Sequence, residues 1–311
     1  MLLRPTLVLV ALSGCDVVFQ LERVDVAKAA CGPYRNVRAV AITGVTEPRQ
    51  FTISEDEQLA FVFGIDDQLR QRPIALQWNG EAWEPHVDYQ QGLEGRDIAG
   101  VRLAPFEEIP DTMGSYTGPV QPALNAWVVN TNRHQVARYY WSGTTWTPDA
   151  YQIPLFDGDY DTHAGNVIVV RQATNVHRVR HTVIAKLAAE AEAPNQILLH
   201  ANTLPSYSLL PKPDRTMALN VASIDTVALT DAVLTENQAT LVYAGVSGGQ
   251  SDIYATAQSA LREFAPGGLI EGITSSDDEV EPWITATCSK LYFRRIPSGS
   301  PNDPGQIYVA E

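Results

Sequence analysis

The chain has 311 residues, 45% of them hydrophobic and 19% charged, with 21 Gly and 20 Pro spread along it. That length and balance suit one large domain or two small ones, globular and turn-rich rather than disordered. The formal net charge of −14 repels phosphate backbones and anionic headgroups, which argues against nucleic acid as a partner and leaves basic or neutral partners and divalent cations open.

The first element in chain order is a leader. Residues 1–14, MLLRPTLVLVALSG, place one basic residue, Arg4, before an apolar run from Leu7 to Leu12, and small residues follow. About ten apolar residues are too few to span a bilayer and suit a signal-peptide core. The segment ends Leu12-Ser13-Gly14-Cys15, which resembles a bacterial lipobox. The resemblance implies cleavage before Cys15, lipidation of its thiol, and several buried acyl chains, enough for a stable membrane anchor. The expected location is therefore the bacterial cell envelope, facing the periplasm or the cell surface, with residues 15–34 as a tether. Asp16 leaves inner and outer membrane both open. An ordinary secretory signal with a chance Cys is the alternative. With Cys15 lipidated, Cys31 and Cys288 remain of the 3 Cys, an even pair in an oxidising compartment.

Beyond the tether the chain reads as repeated strands. QLAFVF (58–63), ALNAWVV (123–129), HTVIAKL (181–187), TLVYAG (240–245) and KLYFRR (290–295) start 65, 58, 59 and 50 residues apart. A second strand candidate follows each: PIALQW (73–78), VARYYW (136–141), ILLHA (197–201), DIYATA (252–257) and QIYVAE (306–311). Such spacing predicts repeated antiparallel hairpins. A shorter strand fits ahead of each first strand, at FTIS (51–54), GVRLAP, NVIVVRQ, AVLT (232–235) and PWIT (282–285). The segments WNGEAWEP (78–85) and WSGTTWTP (141–148) each read as a second strand ending on Trp, a two-residue turn using the positive φ of Gly, and a return strand. Pro85 and Pro148 are expected to end that pairing, as suits an outer edge. ATAQSALREFAP (255–266) ends similarly, and ANTLPSY near residue 204 is a weaker copy. Three or four strands per repeat of about fifty residues is the size of a β-propeller blade.

The stretches DDEVEPWITATCSKLYFRR, GQIYVAE, LTENQATLVYAG and SDIYATA resemble TolB-type, WD-like propeller repeats of bacterial envelope proteins. The match is good over about 220–311 and faint over 50–220. The Asp-Gly turn of that family is replaced by SEDEQ, TENQA and TATCS. The expectation is an all-β chain in which residues 35–311 form a single β-propeller of five blades, with six as the alternative. The last repeat stops at QIYVAE, so NVRAVAI (36–42) is expected to supply its outer strand and close the ring. A Cys31–Cys288 disulfide would then lock the closure, two free buried thiols being the alternative.

The candidate chemistry is sparse. GVSGG (245–249) fits Gly-x-Ser-x-Gly around Ser247, but a strand follows where a nucleophile elbow needs a helix, so a hairpin loop is expected. His177 and His181 in HRVRH could share zinc on a helix, and VRHTVIAKLAAEAEAP contains helix formers; on a strand the two rings stand about 13 Å apart. Asp157, Asp159 and Asp161 alternate in DGDYDTH like the start of a calcium loop, but Thr162 and Ile168 replace the Gly and Glu of an EF-hand. SSDDEVE (275–281) is a second acidic loop. No catalytic set emerges. The expected function is non-enzymatic, a monomeric binding or scaffold module for an envelope protein or glycan, requiring no cofactor beyond an optional calcium. The alternative is a carbohydrate-binding or glycoside-hydrolysing propeller with paired channel-facing carboxylates drawn from Asp97, Asp161, Asp225 and Glu279.

Overall fold

The computed structural model describes residues 31–311 except 55, 94–97, 109–119, 131–132, 156–159, 172–177, 189–195, 203–215, 223–227, 236–239, 261–262, 286 and 301. A short β1 (Arg38–Ala39) precedes a first antiparallel meander of β2 (Thr46–Ile53), β3 (Leu59–Ile65), β4 (Gln71–Trp78) and β5 (Trp83–Pro85). The second comprises β6 (Ile98–Glu108), β7 (Val120–Asn130), β8 (Arg133–Trp141) and β9 (Trp146–Leu155). The third comprises β10 (Tyr160–Arg171), β11 (Arg178–Ala188), β12 (Gln196–Asn202) and β13 (Thr216–Val221). The fourth runs through β14 (Ala228–Leu234), β15 (Thr240–Ser247), β16 (Gln250–Ala260) and β17 (Glu263–Phe264), with β18 (Gly268–Leu269) beside β16. The last contains β19 (Asp278–Ile284), β20 (Leu291–Ile296) and β21 (Gln306–Ala310).

The first strands of the meanders touch in chain order: β2 meets β6, β6 meets β10, β10 meets β14, β14 meets β19, and β19 returns to β2. They form the inner ring of a single all-β propeller. The second strand of a meander is covered on both faces by its neighbours, so β3 and β15 are buried almost end to end. This is why QLAFVF and TLVYAG read as continuous apolar runs instead of alternating ones. The core lies between adjoining meanders. Phe51 stacks on Tyr292 at 4.9 Å between the first and last, and Phe61 meets Trp146 edge-on at 5.5 Å between the first and second. Edge-to-face and offset pairs of this kind contribute about 0.5–1.5 kcal/mol beyond the area they bury.

Closure follows the expected path. β1 pairs antiparallel with β21, Arg38 opposite Val309 and Ala39 opposite Tyr308. The amides of Arg35 and Asn36 donate to the Glu311 carbonyl, and the Val40 amide donates to the Ile307 carbonyl. Cys31 and Cys288 form a disulfide with Cα atoms 5.3 Å apart. The Tyr34 hydroxyl, whose pKa burial pushes up to about 12, donates to the Cys288 carbonyl at 3.2 Å.

Three details correct the sequence reading. Hydrogen bonding groups the strands into four sheets rather than five or six: three sheets have four strands and one has nine. The large sheet arises because β17, only two residues long, pairs antiparallel with β16 and also parallel with β13 (Asn220 opposite Glu263, Val221 opposite Phe264). Two meanders thereby merge at their outer edges. Second, the Trp hairpins turn through four residues, Asn79–Ala82 and 142–145, with Trp78 opposite Trp83 and Trp141 opposite Trp146. The Asn79 side chain accepts from the amides of Glu81 and Ala82, both at 2.9 Å, and wraps a wider loop than Gly alone would make. Third, Pro85 ends β5, but β9 runs past Pro148, with a register shift restoring pairing at Gln152. A bulge accommodates the missing amide donor. Residues 181–187, expected as a strand although helix formers run through 179–194, lie in β11, flanked by β10 and β12, so tertiary pairing outweighs the local helix propensity.

Candidate functional site

A bulge interrupts the first strand of every meander: the register slips at Arg49/Thr52, Ile98/Gly100, Ala164/Val167, Leu229/Asp231 and Val280/Trp283. Bulges re-aim side chains, and the polar groups nearest the axis of the wheel sit at or just beyond them. Gln50 and Glu281 lie inside bulges with φ of 53° and 56°, and Asp231 and Trp283 follow theirs directly.

The axis holds a charge pair. Arg102 of β6, with only 1% of its side chain exposed, places its guanidinium 3.4 Å from Asp231 Oδ1 of β14. These strands are not neighbours, because β10 stands between them, so the pair crosses the wheel. The guanidinium carbon lies 6.0 Å from the ring centre of Trp283 on β19, within cation–π range. A polar collar surrounds it. Arg294 donates to both carboxylate oxygens of Glu281, at 2.9 and 3.0 Å, and the Gln50 amide donates to Glu281 Oε2 at 2.7 Å. Gln50 Oε1 in turn accepts from the Val101 amide, and Thr52 Oγ1 from the Leu103 amide. The last, first and second meanders are thus tied at their inner strands.

A second cluster lies between the fourth and last meanders, on the face where the first strands begin. Glu279, fully buried, accepts from Ser275 Oγ and from Arg295 Nε at 3.1 Å. Asp252 of β16 is its near neighbour. Burial, foremost, pushes both carboxyls above their ordinary range; Asp278 adds to the rise of Asp252, and Asp252 to that of Glu279. Beside them a groove of ≈ 470 Å³ is lined by Val40, Ile42, Pro48, Arg295, Asp303 and Tyr308 among others. The Arg295 guanidinium covers the Tyr308 ring at 4.7 Å.

Of the residues singled out in the sequence, Glu279 lies in this cluster. Asp161 is the second residue of β10, opposite Leu187, and His181 lies in β11, opposite Ala201. Ser247 ends β15 opposite Gln250, with Gly248 and Gly249 at φ 66° and 90° making a tight hairpin into β16. It occupies no strand-to-helix elbow. Cys15, Asp97, Asp157, Asp159, His177 and Asp225 lie outside the described residues. Among the described residues, no three His, Cys, Asp or Glu side chains gather closely enough to hold a metal ion, and no helix is long and apolar enough to cross a membrane. The sequence reading missed Arg102 and Asp231. Their only signal was a single charge inside each of two otherwise apolar first strands, GVRLAP and ALTDAVL.

No known family profile matches the sequence, and no curated protein matches it. In three dimensions the chain is similar to a fructofuranosidase from Schwanniomyces occidentalis complexed with fructosylnystose, with a TM-score of 0.51 and 10% identity. That match covers 93% of this chain and 59% of the fructofuranosidase, so the chain spans about three fifths of that enzyme's length. It is also similar to a GH62 hydrolase in complex with xylotriose, again with a TM-score of 0.51 and 10% identity, covering 94% of each chain. At such identities the likeness is one of fold.

Proposed function

We propose that this protein is a lipid-anchored component of the bacterial cell envelope whose propeller, TolB-like in type, is a non-enzymatic binding module for a periplasmic or surface protein. The observation that carries the proposal is the charge pair between two inner strands that are not neighbours. Arg102 and Asp231 meet across the wheel over Trp283, so charges that could act on a substrate there are engaged with each other. Recognition then falls to the rims, and the groove beside Arg295 and Tyr308 supplies a mixed apolar and charged surface of the kind found where partners dock.

The test is incubation of the purified chain with panels of oligosaccharides and peptides. No turnover is expected. Hydrolysis that disappears in Asp231→Asn or Glu279→Gln would refute the reading. The anchor has a separate test, mass spectrometry of the mature N-terminus: a diacylglyceryl Cys15 supports it, and an unmodified Cys15 removes it. A second reading, a carbohydrate-binding or glycoside-hydrolysing propeller, is favoured by Trp283 on an inner strand and by the fold likeness to two oligosaccharide complexes. It is weakened by Trp78, Trp83, Trp141 and Trp146, which all belong to outer hairpins.

A further inference from the structure

The chain leaving β1 crosses from the last meander to the first. The Val40 amide donates to the Ile307 carbonyl of β21, and the Thr43 amide donates to the Trp83 carbonyl of β5. Along this crossing runs the groove of ≈ 470 Å³, a size that suits a ligand or a single inserted side chain. Its walls are apolar, from Val40, Ile42, Pro48 and Ile307, and its charges are one cation, Arg295, and two carboxylates, Asp277 and Asp303. Arg295 is already engaged: its Nε donates to Glu279 at 3.1 Å, its Nη2 donates to the Ile273 carbonyl at 2.7 Å, and it covers the Tyr308 ring. The two carboxylates are not. Asp277 Oδ1 accepts from the Ser298 amide at 3.3 Å, and Asp303 Oδ1 accepts from the Gly305 amide at 2.7 Å. Among the described residues neither forms an ion pair or a bond through Oδ2. Other acids near the ring closure do: Glu47 pairs with Arg49, Glu57 with Lys290 and Glu281 with Arg294.

We propose that this groove takes a lysine side chain of a partner protein, its methylenes against the apolar walls and its ammonium donating to Asp277 and Asp303. This deepens the binding-module reading and rests on it. Charge complementarity selects a cation: two carboxylates with open oxygens, against one guanidinium held by Glu279, leave the lining negative on a chain of net charge −14. The walls select a cation with an aliphatic stem, which can lie along apolar surface while its head stays at the polar end. Lysine fits better than arginine. Each carboxylate offers a single open oxygen, which suits the rotatable donors of an ammonium, whereas the flat guanidinium fork is matched to both oxygens of one carboxylate. A bare metal ion would lack a third carboxylate or imidazole ligand here and would leave the walls unused. Pro297, Ser298 and Asp303 at the lip are exposed, so a partner backbone has room on either side of the inserted lysine.

The experiment uses the full chain, 15N-labelled, titrated with acetyl-Ala-Lys-Ala-amide and with analogues carrying acetyllysine or arginine in place of lysine. The Ser298 and Gly305 amides are the reporters, because they bond the two carboxylates. Their signals are expected to shift saturably with the lysine peptide, roughly tenfold more weakly with the acetyllysine peptide, and in between with the arginine peptide. Asp277→Asn and Asp303→Asn keep an Oδ1 for those amides, so each should leave the melting temperature unchanged while weakening binding about threefold. Glu81→Gln, which removes an equal charge from the exposed tip of the first Trp hairpin, should leave binding unchanged. The proposal is overturned if either Asn variant binds as the parent does, if Glu81→Gln weakens binding as much, or if the acetyllysine or arginine peptide binds as tightly as the lysine peptide. It is also overturned if n-butylamine binds as tightly as the lysine peptide, or if calcium moves both signals and the peptide moves neither. A failed titration without substrate turnover sinks this inference alone, whereas turnover sinks the binding-module reading.

Discussion

Removing the disulfide isolates the energetics of ring closure. Cys31 and Cys288 are 257 residues apart, and in the chain-entropy relation a loop of that size restricts the unfolded chain by about 5–6 kcal/mol. The native state keeps other ties when the bond is cut: the β1–β21 ladder, the Tyr34 bond to the Cys288 carbonyl and the amide bonds to Glu311. Denatured chains also retain some compactness, so the expected loss for Cys31→Ser with Cys288→Ser is about 3–5 kcal/mol. Against a typical domain stability of about 5–15 kcal/mol, that is a large share. Urea unfolding followed by Trp fluorescence, with parent and variant compared in oxidising buffer, measures it. The variant midpoint should fall, with a slope equal or slightly steeper because its unfolded chain is freer. Hydrogen exchange should show residues 38–40 opening well before β20. An unchanged midpoint, with the crosslink in the parent verified by mass, would refute the claim that the bond acts on a long loop.

Four further outcomes are expected. The Asp252–Glu279 pair is pushed upward by burial, so its stabilising protonated form is fully present below the ordinary carboxylate values and is lost as pH rises through the raised ones. Melting temperature should therefore decline as pH rises past the ordinary carboxylate range, and Glu279→Gln, which cannot ionise, should flatten that slope; an unchanged slope refutes the upward shift of the pair. Asp66 has the opposite sign: burial raises it, but hydrogen bonds from Arg70, Gln68 and Arg72 outweigh this and hold it at about 2, so its contribution fades only as pH falls toward that value. Arg102→Met should cost about 3–5 kcal/mol in denaturant unfolding by leaving Asp231 buried without its cation, and Arg102→Met with Asp231→Leu should recover much of the loss; a single-variant cost under about 1 kcal/mol would contradict a buried pair. Gly92 has φ 94°, and a Cβ there would meet Thr145 Oγ1 at 2.3 Å and the Trp146 backbone at 2.5 Å, whereas Gly80, at φ 102°, has open space. Gly92→Ala should thus destabilise by about 2 kcal/mol more than Gly80→Ala in thermal melts, the difference being the clash alone.

The wheel was legible because its strands obey local rules. ALNAWVV, HTVIAKL and TLVYAG fall within second strands, QLAFVF and KLYFRR do so from their second residue on, and Gly-containing turns marked the hairpins. The closing strand was legible by subtraction, since QIYVAE had no following partner in the chain. The sheet count was not, because the β13–β17 pairing depends on how two outer edges meet in space, which no local pattern encodes. Nor was the axis. Arg102 and Asp231 are 129 residues apart, and each looks alone like an exposed charge on a strand. The bulges that aim Asp231 and Trp283 inward leave no Gly signature, and the inner-strand residues with positive φ are Glu47, Gln50 and Glu281. The four-residue Trp loops were misread because Asn79 and Ser142 act through side-chain bonds to later amides, a use that the same letters share with tighter turns.

The pairing of β1 with β21 imposes an order on biosynthesis. Residue 38 leaves the ribosome some 270 residues ahead of its partner at 309, so the outermost strip of the final sheet must wait, solitary, for nearly the whole translation. During that interval the Cys31 thiol has no native mate and is open to mixed disulfides with oxidants or neighbouring chains. A polypeptide released before β21 would keep its leading segment dangling, and one released before residue 288 would keep its thiol unquenched as well, marks by which quality-control proteases could recognise an incomplete copy.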